Sequence, residues 1–257
     1  MTYTNILVEA ADGIATITVN RPKVLNALNR ATIAELHSAF IAARDDEAVR
    51  VIIITGAGEK AFIAGADISE LHEFPTSGAL GSRDSLPMLI LGLGKPVIAA
   101  VNGYCFGGGF ELVYACTLAY AAEGAKFGQP EVNLGLNPLW GATQQLPSLV
   151  GKKKAMELLL LGETFDAAEA LRLGIVNGVV PAKELMPKVQ SVAASLATKA
   201  PIAVKVIIEC VRQAGDVTLA QGMDLEAKSF GLLRGTEDFI EGTKAFLEKR
   251  QPHFRGR

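Results

Sequence analysis

Three consecutive glycines, Gly107, Gly108 and Gly109, follow an apolar run at 97–101 and a turn at Asn102 and Gly103, and Glu111 comes two residues later. Glycine has no Cβ, so backbone N–H groups there can approach a ligand closely; the first turn of a helix adds unpaired donors and the positive end of a dipole. The stretch is built to hold negative charge, with a carboxylate beside it. A second acid, Glu131, follows Gln129-Pro130. Proline biases the residue before it away from helix, which puts Glu131 on a loop. Taken singly, each acid also reads as a surface or capping charge, and Glu111 as a complement to the helix dipole.

Strand, tight turn and helix start must hold that stretch, and the rest of the chain supplies matching elements. Residues 6–9 and 14–19 alternate around Asp12-Gly13, which predicts an antiparallel hairpin ended by Asn20-Arg21-Pro22. Asn29 can cap a helix carrying Ile33, Leu36, Phe40 and Ala43 at helical spacing, closed by the acidic run 45–47. The β-branched run 51–54 predicts a buried strand, and 61–67 a short strand ending in a loop, with a helix after Asp67. Lys95 before Pro96 reads as strand-edge punctuation. Residues 74–86 are the least patterned and read as a mobile surface segment of the kind that makes pocket lids. Short strands at 117–122 and 126–128 precede an irregular piece at 135–141, a helix at 152–161, and a helix capped by Thr164 or Asp166 that stops at Gly174. Helical spacing then continues over 187–198, 202–213, 218–232 and 237–249.

With 257 residues, 49% of them hydrophobic, the chain can bury a sizeable core. A net charge of −2 argues against a broad nucleic-acid surface, which needs a basic patch to release counterions, and makes small molecules the expected partners. No apolar run reaches membrane-spanning length, and residues 1–13 lack a basic start and an apolar signal core, so a cytoplasmic location is expected, with no membrane partner. Cys105, Cys116 and Cys210 form no CxxC pair and have no nearby His, which fits reduced thiols better than a metal site or disulfide framework. No metal is expected. His37, His72 and His253 sit in no recognisable motif.

The segments NRPKVLNAL (20–28), ITGAGEKAFIAGADI (54–68), KPVIAAVNGYCFGGGFEL (95–112), FGQPEVNLGL (127–136) and AFLEKR (245–250) together resemble the enoyl-CoA hydratase (crotonase) family. They run in one order from near the first strand to the last helix. The resemblance implies an α/β fold: a spiral of repeated ββα units over residues 1–182, followed by a helical C-terminal trimerisation region over 183–257. A homotrimer, or a dimer of trimers, is implied with it. It also implies an acyl-CoA substrate, no separate cofactor, and an enolate-like thioester oxygen held by the backbone N–H groups of Ala66 and Gly108. Each such donor is typically worth about 3 kcal/mol. Ala66 also reads simply as a small residue in a tight loop, and Gly108 as a helix packing against a strand.

Hydratases within the family carry a pair of acids, matched here by Glu111 and Glu131. Adding water across a conjugated double bond needs one group to deprotonate the water attacking C3 and one to deliver a proton at C2. Two adjacent carboxyls divide these roles because proximity pushes their pKa values apart. By the same resemblance Lys23, Val24 and Leu25 lie along the pantetheine and adenine of coenzyme A, and Phe62 and Ala64 border the adenine pocket. Phe246 and Lys249, from a neighbouring subunit, cover the nucleotide end, although Lys249 reads equally as a solvated helix-end charge.

One segment departs from the family pattern. Residues 138–146 read PLWGATQQL where relatives read PGAGGTQRL, so Leu139 and Trp140 replace small residues beside the expected water and acyl chain. Either neighbours compensate, or the acyl group is other than a short straight chain, such as a cyclic dienoyl or branched group. Double-bond isomerisation, which needs only one acid, is a further family reaction. A nicotinamide-dependent oxidoreductase is disfavoured because Leu112 stands where G-x-G-x-x-G needs its third glycine. A non-catalytic RNA-binding role is disfavoured by the acidic balance.

Overall fold

In the computed structural model, residues 2–73 and 85–257 are described. Asp12 and Gly13 both take positive φ, 51° and 78°, the pair of left-handed residues that a two-residue hairpin turn needs to match strand twist. They join β1 (Ile6–Ala11) to β2 (Ile14–Val19), with Ala11 opposite Ile14. Asn29 caps α1 (Arg30–Asp45), its Oδ1 accepting the Thr32 N–H at 2.9 Å. The far end of α1 is closed by Lys95, whose Nζ donates to the carbonyls of Ala43 (2.9 Å) and Asp46 (2.7 Å). Lys95 is thus a C-terminal helix cap rather than strand-edge punctuation.

The chain then alternates strands and helices: β3 (Val51–Gly56), β4 (Ala61–Ile63), α2 (Leu86–Leu91), β5 (Val97–Val101), β6 (Tyr104–Phe106) and α3 (Gly108–Ala115). It continues with β7 (Leu118–Ala122), β8 (Lys126–Gly128), α4 (Ala142–Val150), α5 (Lys152–Leu161), β9 (Phe165–Asp166), α6 (Ala167–Arg172) and β10 (Gly178–Val180). Two sheets result, ordered β1-β2-β3-β5-β7-β10 and β4-β6-β8-β9. In the successive pairs β3 and β4, β5 and β6, β7 and β8, the first strand joins the large sheet and the second the small one, which is the repeated unit the family resemblance implies. The lid expected at 74–86 falls mostly outside the described residues, and the helix expected after Asp67 is a 3₁₀ turn, Ile68–Glu73.

β3 and β5 are buried on both faces, which is why they read as unbroken apolar runs. Ile52, Ile54, Val97 and Ala99 point into the main core with Leu36 and Phe40 of α1. Val51, Ile53, Ile98 and Ala100 point the other way, onto Leu185, Val189 and Ala193 of α7 (Leu185–Ala197). α7 therefore serves the sheet. After it come α8 (Pro201–Gln213), α9 (Leu219–Leu233), capped by Thr218 and Gln221, and α10 (Glu237–Leu247). These three bury few residues: Ile208 in α8, none in α9, Asp238 and Ala245 in α10.

Candidate active site

Asn102 ends β5 and ties it to the end of β3: its Nδ2 donates to the carbonyls of Gly56 (2.8 Å) and Gly58 (2.7 Å). A Cβ on Gly103 would lie 2.2 Å from the Lys60 carbonyl oxygen, so only glycine fits where this turn crosses the β3–β4 connection. Three residues of β6 lead to Gly107 (φ 51°), and α3 begins at Gly108. Glu111 stands in that helix's first turn, 3% exposed. Its Oε1 accepts the Trp140 N–H at 2.7 Å and the Ala142 N–H at 3.1 Å.

Burial pushes the Glu111 carboxyl up to about 7, the nearby Glu131 charge adds to this, and the amides of Ala142, Trp140 and Gly141 pull it partly back. At neutral pH the group is poised between acid and base. Glu131 lies in a 3₁₀ turn, Pro130–Leu134, and not in the irregular loop expected, because Pro130 opens the turn with its φ already set. Its Oε1 lies 3.0 Å from where a Gly107 Cβ would be, and Gly107 O accepts the Glu111 N–H at 2.9 Å. Gly107 thus touches the Glu131 carboxyl on one side and the Glu111 backbone on the other, and the Glu131 charge acts on the Glu111 carboxyl. Burial raises the Glu131 carboxyl above its ordinary range as well. Its Oε2 is buried with no protein partner among the described residues, so its hydrogen-bonding capacity is left for solvent or substrate.

The turns carrying Ala66 and Gly108 touch. A Cβ on Gly107 would lie 3.7 Å from Gly65 Cα, and one on Gly65 (φ 103°) would lie 3.5 Å from the Phe106 carbonyl oxygen. Leu28 N–H donates to Gly65 O and Asp67 N–H to Leu28 O, both at 2.8 Å, fixing the Ala66 turn against residues 25–28. Among the described residues neither the Ala66 nor the Gly108 N–H has a protein acceptor. Trp140 packs on this corner: its Cζ3 and Cε3 lie 3.3 and 3.4 Å from a Gly108 Cβ position. Leu139 is about half exposed beside it.

The expected coenzyme A residues divide. Lys23 and Val24 are exposed on a 3₁₀ turn, Pro22–Val24, and Leu25 O accepts the Ala64 N–H at 3.2 Å, so these four positions form one surface. Phe62 does not join them. It is 0% exposed in the main core, because in a three-residue strand wedged between two layers its side chain faces inward. Phe246 is 83% exposed at the end of α10 and Lys249 follows it at φ 55°; nothing within the single chain brings either to the glutamates.

Sequence reading missed several positioning residues. Asn26 is buried, its Oδ1 accepting the Arg21 N–H at 3.0 Å and its Nδ2 donating to Ala57 O (3.0 Å) and Ala61 O (2.8 Å). Arg21 pairs with Asp67 at 3.0 Å. Tyr114 shares the Glu111 face of α3 at i+3, a spacing legible in sequence. Its buried hydroxyl and both amide atoms of Gln129 lack partners among the described residues. No group of three or more His, Cys, Asp or Glu side chains among the described residues is placed to hold a metal.

A family model described as enoyl-CoA hydratase/isomerase matches residues 9–257. The chain belongs to that family. Among curated enoyl-CoA hydratase relatives, the crotonyl-CoA hydratase of Syntrophomonas wolfei is 44% identical over 262 residues, spanning 99% of each chain. The short-chain-enoyl-CoA hydratase of Clostridium acetobutylicum is 40% identical, over 98% of this chain and 97% of that one. A crystal structure of an enoyl-CoA hydratase from Bacillus anthracis superposes with a TM-score of 0.93 at 36% identity, covering 99% of this chain and 100% of the other. Within the hydratase/isomerase family fold, Glu111, Glu131, Ala66 and Gly108 all fall at one corner, where the two sheets hand the chain to α3.

Proposed function

We propose that Glu111 and Glu131 together hydrate the 2,3 double bond of an enoyl-CoA thioester. The chain is an acyl-CoA hydratase: water adds reversibly, its oxygen bonding to C3 and a proton arriving at C2. The observation that carries the two-acid reading is the buried Glu131 carboxyl at Gly107, whose carbonyl takes the Glu111 N–H, near enough for the Glu131 charge to help burial raise the Glu111 carboxyl to about 7. The ionised member takes a proton from water as oxygen attacks C3. The double-bond electrons move toward the thioester carbonyl, whose oxygen the Ala66 and Gly108 N–H groups hold, and the protonated member delivers its proton to C2. The charge states belong to the pair.

Glu131→Gln keeps the size of the side chain and removes its proton chemistry. Turnover of crotonyl-CoA in this variant falls at least about a hundredfold in kcat, with a small change in KM. Near-normal kcat would remove Glu131 from the mechanism. Conversion of a 3-enoyl substrate surpassing hydration would favour isomerisation instead.

The acyl group is read as short and unbranched, since the Trp140 ring lies on Gly108 where the thioester must sit, and the names of the two curated relatives point the same way. In an acyl-CoA panel the wild type prefers crotonyl-CoA, and Trp140→Ala shifts preference toward longer or bulkier chains. A cyclic dienoyl-CoA turned over faster than crotonyl-CoA would sink that reading. Assembly as a trimer, or a pair of trimers, is supported by the apolar side chains that α8 and α9 leave exposed, among them Val211, Phe230 and Leu232. In such an assembly Phe246 and Lys249 reach a neighbour's nucleotide end.

A further inference from the structure

The parallel strands β3 and β5 have the acids beyond their C-terminal ends. At their other ends, about 15 Å away at the rise of a five-residue strand, lies a cavity of about 570 Å³. It is walled by the end of α1, the starts of β3 and β5, the α7–α8 junction and residues 255–257. Its cationic side chains are Arg44, Arg50, Lys95, Lys199, Arg255 and Arg257, and among the described residues lining it Glu47 is the one acid.

Two of the cations are neutralised locally, Arg44 by Asp45 at 2.7 Å and Arg257 by Glu237 at 3.0 Å. Arg50, Lys95, Lys199 and Arg255 have no ion-pair partner among the described residues. Lys95 is held by the carbonyls of Ala43 and Asp46, and Arg50 donates to the Phe254 carbonyl at 3.4 Å, so neutral oxygens fix their positions, while the charges of Asp46, Asp45 and Glu47 act on Lys95 from nearby without a direct ion pair.

The wall contributed by residues 255–257 is clasped in place. Buried Asp238 accepts the N–H groups of Arg255 (2.6 Å) and Gly256 (2.8 Å), and its own N–H donates to Arg257 O at 3.2 Å. Gly256 has φ 78°, and a Cβ there would lie 2.9 Å from Pro201 Cγ. Arg255 and Arg257 are therefore presented over the cavity by an ordered backbone.

We propose that this cavity binds a small multivalent phosphate-bearing anion, at a site separate from the glutamate pair. Guanidinium forks match phosphate oxygens two at a time and ammonium groups add point charge, and the volume is that of a ligand pocket. A diphosphate is the smallest such group able to bridge cations on opposite walls. It can come as free pyrophosphate or as part of a nucleotide.

The test is calorimetric titration of the purified full-length protein with inorganic pyrophosphate, and separately with adenosine diphosphate, at ionic strength fixed with potassium chloride. The wild type binds pyrophosphate saturably with Kd below about 1 mM. The double variant Lys199→Gln, Arg255→Gln binds at least about tenfold more weakly. Both side chains are exposed, so the variant folds and retains hydratase activity. Glu111→Gln binds pyrophosphate as the wild type does. Adenosine diphosphate binding that is tighter than that of pyrophosphate and is lost in the double variant identifies a nucleotide as the source; equal binding lost in the same variant identifies the diphosphate alone. No saturable heat with either probe, or undiminished binding by the double variant, overturns the proposal.

Discussion

Glu111→Gln lowers kcat for enoyl-CoA hydration at least about a hundredfold, with KM little changed, and at the same time makes the folded protein more stable above neutral pH. Both effects have one origin. The ordinary carboxyl value of 4.5 becomes about 7 in the fold, chiefly through burial. Below 4.5 the group is protonated whether folded or not. Between 4.5 and about 7 the folded state binds more proton than the unfolded, so stability falls as pH rises across that window. Above it the penalty is complete, at about 3 kcal/mol.

Glutamine carries no charge, and its amide oxygen can still accept the Trp140 and Ala142 N–H groups. Thermal melts of wild type and variant therefore coincide near pH 4 and separate by about 5 °C at pH 8. Parallel melting profiles at all pH values would contradict the buried, poised acid; undiminished turnover would contradict its part in the reaction. A site selected for stability alone would carry the amide.

Gly109→Ala strongly destabilises the native fold, whereas Gly108→Ala leaves it standing. A Cβ at Gly109 would lie 2.3 Å from the Ile63 carbonyl oxygen and 2.7 Å from Ile63 Cβ, in a buried strand with no room to retreat. Overpacking against backbone costs about 3 kcal/mol or more. At Gly108 the same methyl meets the edge of the Trp140 ring at 3.3 Å, and a side chain on a partly exposed loop can shift. Gly108→Ala therefore folds, and loses turnover because the Trp140 ring and the Gly108 N–H both move. Circular dichroism melts and crotonyl-CoA hydration assays separate the two outcomes. A Gly109→Ala protein with a wild-type melt would show that α3 and β4 are less tightly apposed than their backbones indicate.

The parts of the fold legible in sequence are those with a local cause. Asp12-Gly13 demanded a hairpin, Asn29 demanded a helix start, one of Thr164 and Asp166 demanded another, which Asp166 caps, and the β-branched run of β3 demanded burial. What stayed hidden lacked such a cause. β6 has three residues and β9 two, too few for any period to show. α4 contains Pro147 at the sixth of its nine positions, where proline removes a helical hydrogen bond and argues against helix from sequence.

The site divided the same way. The glycines and Glu111 announced themselves by type and spacing, but Glu131 lies twenty residues on and nothing local ties it to Glu111. Only the family resemblance paired them, and the small sheet is what brings them together: β6 ends just before Gly107 and β8, its neighbour, ends just before Gln129. Phe62 went the other way. Its place in a matching motif suggested a pocket wall, while the direction of a side chain in so short a strand is set by layers that sequence does not display.

The grip of the Trp140 and Ala142 amides on Glu111 has a consequence for how such an enzyme can change. The segment proposed to shape the acyl pocket also helps set the proton affinity of an acid beside it. A substitution at 139–142 that admits a new acyl group moves those donors, and so moves the pH at which the chemistry runs best. Selectivity and acidity are inherited together here, and a lineage that retunes one must restore the other.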